Sequence, residues 1–179
     1  MQEEYNAALG FRDDPLLGWK PRENSRYLRF NHPVLVNSQA FVSNYGHTNF
    51  LVSREKPPHL FRIFVVGGST VYGIGADPWD SIPARIEALA NAERRAGRVQ
   101  VINAGVGGYS SAQELLYLMS EIVHYHPDLV IVYDGWNDVH FQNIQASWKG
   151  DRWVPMRSYQ HEMKALSMDF AFQPGKVAS

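Results

Sequence analysis

The stretch Arg62-Ile63-Phe64-Val65-Val66-Gly67-Gly68-Ser69 decides the fold. After Arg62 come four β-branched or aromatic residues with no polar alternation, and the run closes on two glycines. An uninterrupted apolar run is the pattern of a strand buried on both faces, and paired glycines at its end mark a tight turn. The segment reads as a buried strand whose carboxyl end opens into a loop at Ser69.

Downstream, the period changes. Asp80 or Ser81 can cap a helix with Pro83 in its first turn, Ile82, Ile86, Leu89 and Ala90 share one face, and Gly97 ends it. Residues 99–103 form a second short strand. Ser111 and Glu114 then have capping-box spacing, and Leu115, Leu118, Met119, Ile122 and Val123 fall on one helical stripe that Pro127 stops. A third strand follows over 129–133. Strand, helix, strand, helix, strand implies right-handed parallel crossovers, with helices covering the sheet faces. The expected class is α/β, a three-layer α/β/α flavodoxin-like parallel sheet. Such sheets bind ligands beyond the carboxyl ends of their strands. Three chemistry-bearing segments fall there: Gly67-Gly68-Ser69, residues 103–111 (NAGVGGYSS), and Gly135-Trp136-Asn137-Asp138.

These segments, in this order, resemble the first three conserved blocks of the SGNH (GDSL-type) hydrolases, over residues 61–140. The resemblance implies the SGNH hydrolase fold and a carboxylic ester hydrolase working through an acyl-serine. Ser69 would be the nucleophile, while the Gly108 N–H, the Ser69 N–H and the Asn137 side-chain amide would hold the oxyanion. Gly108 follows Asn103 by five and precedes Ser110-Ser111, though Gly105 and Gly107 leave the register open by a residue. Each oxyanion donor is typically worth about 10²–10³ in rate. No cofactor is implied. The implied partner is an acyl-ester substrate, in a class running from acetylated carbohydrate to lipid, and some relatives transfer acyl groups instead.

A serine needs a base within hydrogen-bond reach. The late Asp-x-x-His of the family is missing: none of the nine aspartates has a histidine three residues on. His140 lies near Asn137 in sequence and His161 farther on, neither with that aspartate. Weak or no turnover is therefore expected from this chain alone. The resembled sheet has about five strands, and three would leave one side unpaired. The hydrolase-type domain is thus expected over 61–179 with its C-terminal part missing. Within it, Trp148 and Trp153 fall in a polar loop, and a short helix is expected over 158–168.

Residues 1–60 are rich in Asn, Pro, Arg and aromatics and lack helical periodicity, so an irregular, partly β extension is expected. Composition narrows the rest. The chain has 179 residues, 45% hydrophobic and 20% charged, with a formal net charge of −1. That suits one domain plus an extension, and the absence of a basic stripe argues against nucleic acid. With no cysteine there is no thiolate nucleophile or thiolate metal site. No window reaches the roughly 18 apolar residues of a membrane span. Compartment and oligomeric state stay open.

Two other readings compete. Gly68 to Gly73 has phosphate-loop glycine spacing, but Ile74-Gly75 stands where Lys-Ser/Thr is needed. A domain that keeps the pocket without the base would bind a carbohydrate or partner, with Tyr109, Trp136, Trp148 and Trp153 available for stacking. No His, Asp or Glu grouping has metal-ligand spacing.

Overall fold

The structure, a computed structural model, describes residues 10–93 and 97–139. The expectations for His140, His161, Trp148, Trp153 and the helix over 158–168 lie outside the described residues.

The N-terminal part contains more regular structure than expected. Strands β1 (Phe11–Asp14) and β2 (Gly18–Pro21) form one antiparallel hairpin, β3 (Arg26–Arg29) and β4 (His32–Leu35) another. In the first, the Asp14 carboxylate accepts from the N–H groups of Leu16 and Leu17, which closes the turn. In the second, Phe30 and Asn31 both have positive φ, 50° and 67°, the geometry of a two-residue type I′ turn.

The α/β part follows: β5 (Leu60–Gly67), α1 (Ser69–Tyr72), α2 (Ile82–Glu93), β6 (Arg98–Asn103), α3 (Ser111–Ser120) and β7 (Leu129–Tyr133). The three strands are parallel in the order β6-β5-β7. The chain steps from β5 to β6 on one side, then back across β5 to β7. Right-handed crossovers therefore put α2 and α3 on opposite faces. Side chains agree. Ile63 and Val65 pack with Val71, Val99 and Val101 under Ile86 and Ala90 of α2. Phe64, on the other face, meets Phe41 and Tyr125 in an aromatic cluster with ring centroids 5.3–5.8 Å apart. Phe41 belongs to the N-terminal part, so that segment supplies core to the sheet.

Both helices cover part of the expected stripe and bury further residues outside it. In α2 the covered residues are Pro83, Ala84 and Glu87, with Ile86 and Ala90 half-buried, while Leu89 is 64% exposed. In α3 they are Gln113, Glu114 and Tyr117; of the expected stripe Ile122, just past the helix, is buried and Leu118 half-buried, whereas Leu115, Met119 and Val123 face outward. The capping box is displaced by one residue, to Ser110 and Gln113. The cause is distant polar partners. Glu87 accepts from the Tyr45 hydroxyl and the Val101 N–H, and the Gln113 amide donates to the Leu17 carbonyl. A buried polar group so satisfied is cheap to bury.

The two sheet edges differ. The outer edge of β6 is capped along its length: Asn91 bonds both backbone groups of Val99, Glu87 and Asn44 take the N–H and carbonyl of Val101, and Val42 N–H donates to Asn103 O. This is how an edge is withheld from foreign strands. Among the described residues β7 pairs with β5 alone, and Leu129, Val132 and Tyr133 are exposed.

Candidate active site

The carboxyl ends of β5, β6 and β7 bring the three sequence segments together. The contact requires small residues. A β-carbon on Gly67 would lie 2.4 Å from the Tyr133 carbonyl oxygen, and one on Gly105 would lie 2.4 Å from the Tyr72 nitrogen. Backbone bonds hold the loops: Ala104 N–H donates to Val65 O and Val106 N–H to Gly67 O, both 2.9 Å. The loop after β6 is thereby stitched to the strand that ends at Ser69.

Ser69 begins α1 directly after Gly68, half-buried, and lines an open cleft of about 320 Å³ with Thr70, Gly73, Ile74 and Asp80. Asn137, in the helical residues 136–139 after β7, lies against Gly68: a β-carbon there would be 2.7 Å from Asn137 Nδ2. The same nitrogen donates to the Tyr109 carbonyl at 2.7 Å. An amide nitrogen carries two hydrogens. One is spent on Tyr109, which fixes the carboxamide, and no hydrogen bond among the described residues takes up the other. Gly108 precedes Tyr109 at φ 84°, a conformation suited to glycine. Of the alternatives, Gly105 N–H donates to Asn103 Oδ1 at 3.0 Å, whereas Gly107 is engaged through its carbonyl, which accepts from Trp19 Nε1 at 3.0 Å.

That last bond belongs to a support the sequence reading missed. Trp19 packs edge-on against Tyr109, centroids 5.7 Å apart, and the buried Tyr109 hydroxyl donates to the Trp19 carbonyl. Phe11 lies against Tyr72, whose hydroxyl contacts that of Tyr27. The hairpins therefore brace both the Gly108 loop and α1. Only the aromatic content of residues 11–27 hinted at this, and it named no partner.

Asp138 anchors the Asn137 turn. Its carboxylate accepts from the Ser111 hydroxyl at 2.6 Å and the Ser111 N–H at 3.1 Å, at the start of α3. A carboxylate is favoured at that positive helix end. Near it Glu114, 4% exposed, has neither carboxylate oxygen hydrogen-bonded among the described residues. Burial first, then the charges of Asp134 and Asp138, push its pKa up to about 8. Asp134 is likewise raised by burial, then by Asp138.

No base meets Ser69 among the described residues. Of the five histidines described, His32 bonds Asp77 through Nδ1 at 3.1 Å, and none of the five hydrogen-bonds Ser69. In those residues no grouping of three or more His, Asp or Glu is placed to hold a metal, and no helix is long and apolar enough to cross a membrane. Compared with known proteins, the chain matches no family model and no curated sequence.

Proposed function

We propose that this chain carries the acyl-transfer site of an SGNH-type serine hydrolase that cleaves a carboxylic ester. One observation supports the reading above the others: the Asn137 amide is held over Gly68, beside Ser69, by the carbonyl that follows Gly108. The Asn137 side chain thereby links the segments that follow β5, β6 and β7, which supports reading Ser69, Gly108 and Asn137 as parts of one site. In the reaction Ser69 Oγ attacks the ester carbonyl and loses its proton to a base, and the tetrahedral oxyanion forms. It is held by the N–H groups of Ser69 and Gly108 and the second N–H of Asn137. Collapse expels the alcohol, and water then hydrolyses the acyl-serine, restoring the hydroxyl. Preorganised donors of this kind supply much of such rate enhancements. The base belongs outside the described residues, and without it turnover is slow.

The test is covalent labelling. A fluorophosphonate should modify Ser69 slowly, mass spectrometry should find the adduct on the peptide bearing Ser69, and Ser69→Ala should abolish it. Asn137→Ala should slow labelling about 10²-fold or more. Labelling that ignores both substitutions refutes the proposal. A second reading, a binding domain without catalysis, draws on the lack, among the described residues, of any histidine bonded to Ser69. It predicts no Ser69 adduct at any reagent concentration.

A further inference from the structure

A second cleft lies at the other end of the sheet, lined by the first residues of β5 and β6, Leu60 and Arg98, and by the loop 45–59. The eight residues of β5 separate it from Ser69 by about 25 Å. Its volume is about 630 Å³, in the range of small-molecule sites. Its wall is aromatic: Tyr45 stacks on His47 with centroids 6.0 Å apart and meets Phe50 edge-on at 5.6 Å. That platform is rigid, because the Tyr45 hydroxyl donates to the buried Glu87 at 2.8 Å and its N–H to Ser43 Oγ at 3.0 Å.

The charge in the cleft has one sign. Arg98 carries it, the His47 and His59 rings line the cleft with it, and none of the described lining residues is acidic. Arg62 also lines it, but its guanidinium is committed to Gln100, Ser53 O and Tyr125 O. By contrast, no hydrogen bond or ion pair among the described residues takes up the side chains of Arg98 or His59. His59 moreover sits at φ 64°, and a β-carbon on neighbouring Gly97 would come within 2.7 Å of its carbonyl oxygen. A non-glycine residue in that region costs energy that the surroundings must offset, and such residues cluster at ligand sites.

We propose that this cleft is a second binding site, for a small organic anion that carries a flat ring. The oxyanion, a carboxylate or a phosphate, lies between Arg98 and His59, and the ring lies against Tyr45 and Phe50. A planar guanidinium suits such oxyanions because two of its N–H groups can donate in parallel.

The experiment is an amide-shift titration by NMR with three probes: phenyl phosphate, inorganic phosphate and benzyl alcohol. Phenyl phosphate should produce saturable shifts at the amides of 45–60 and 97–100 and none at Ser69. Its dissociation constant should be at least about tenfold tighter than for either of the single-feature probes. Arg98 is exposed, so Arg98→Glu should fold normally, with an unchanged spectrum elsewhere, and weaken phenyl phosphate about tenfold or more through like-charge repulsion. Lack of saturation up to about 10 mM, equal affinity for inorganic phosphate, or unaltered binding by the variant each overturns the proposal.

Discussion

The side-chain nitrogen of Asn137 lies 2.7 Å from the point a β-carbon on Gly68 would occupy. Gly68 has φ −77°, so alanine meets no left-handed penalty there. What must move is the end of the Asn137 side chain, a small cost to folding. Gly68→Ala should therefore keep its melting temperature within a few degrees while Ser69 labelling slows about 10²-fold, as for Asn137→Ala. The double variant should be no slower than either single one, since both remove the same donor. Gly67→Ala provides the contrast, because its β-carbon meets the Tyr133 backbone oxygen at 2.4 Å. That variant should lose stability, not only labelling. Additive rate losses in the double variant would disprove the shared donor.

The hairpin brace predicts action at a distance. Trp19→Phe keeps a ring against Tyr109 but deletes the donor to the Gly107 carbonyl. A lost neutral hydrogen bond costs about 1 kcal/mol, visible as a lower urea midpoint at constant slope. Because the same loop carries Gly108, Ser69 labelling should slow as well. A stability loss with an unchanged labelling rate would show that the hairpin supports the fold without positioning the loop.

Most of the parallel sheet was legible in the sequence, and the reason is local. The runs over 62–66, 99–103 and 129–133 announce strands, the first of them buried, and the observed strands extend them by two residues or fewer at either end. The helix faces were read only in part, Ile86, Ala90 and Ile122 rightly, because the other buried positions include Glu87, Gln113 and Glu114, whose environment is set by residues far away in sequence. Gln113 bonds Leu17, 96 positions earlier, and no periodicity records that. The site segments were legible as separate turns. Their meeting was not, since it depends on strand order and on which glycines touch which loops. The N-terminal hairpins were hidden by strands of four residues that lack clean alternation, such as Gly18–Pro21, all four of which are buried.

Glu114 predicts a pH dependence. The positive end of α3 would favour a carboxylate, but Asp138 holds that place through Ser111. Glu114 is left buried, unbonded among the described residues and beside two acidic groups, with its pKa raised from 4.5 to about 8. Below pH 4.5 folded and unfolded chains both keep the proton, and stability is complete. From there to about 8 the unfolded chain has lost it while the folded chain keeps it, so stability falls as pH rises, and it levels off above. Asp134, also raised, acts in the same direction from 3.8 upward. Glu114→Gln keeps the neutral shape and should flatten much of the decline in melting temperature across that window. An unchanged profile would mean that Glu114 finds a partner or water when ionised.

The unequal edges of the sheet lead to a last prediction. Asn91, Glu87, Asn44 and Val42 occupy the outer backbone groups of β6, while β7 among the described residues has one partner and shows Val132, 61% exposed, beside Tyr133. An apolar strand with unpaired N–H and carbonyl groups recruits other strands. Lysine on such an edge opposes this by forcing burial of a charge in any edge-to-edge pairing. Val132→Lys removes no buried packing, so folding free energy should change by about 0.5 kcal/mol or less. Light scattering at constant concentration should fall relative to the parent chain. The control is Asn91→Ala, which frees both backbone groups of Val99 and should raise scattering while lowering the melting temperature. If Val132→Lys scatters as strongly as the parent, self-association runs through another surface, and β7 is covered in solution.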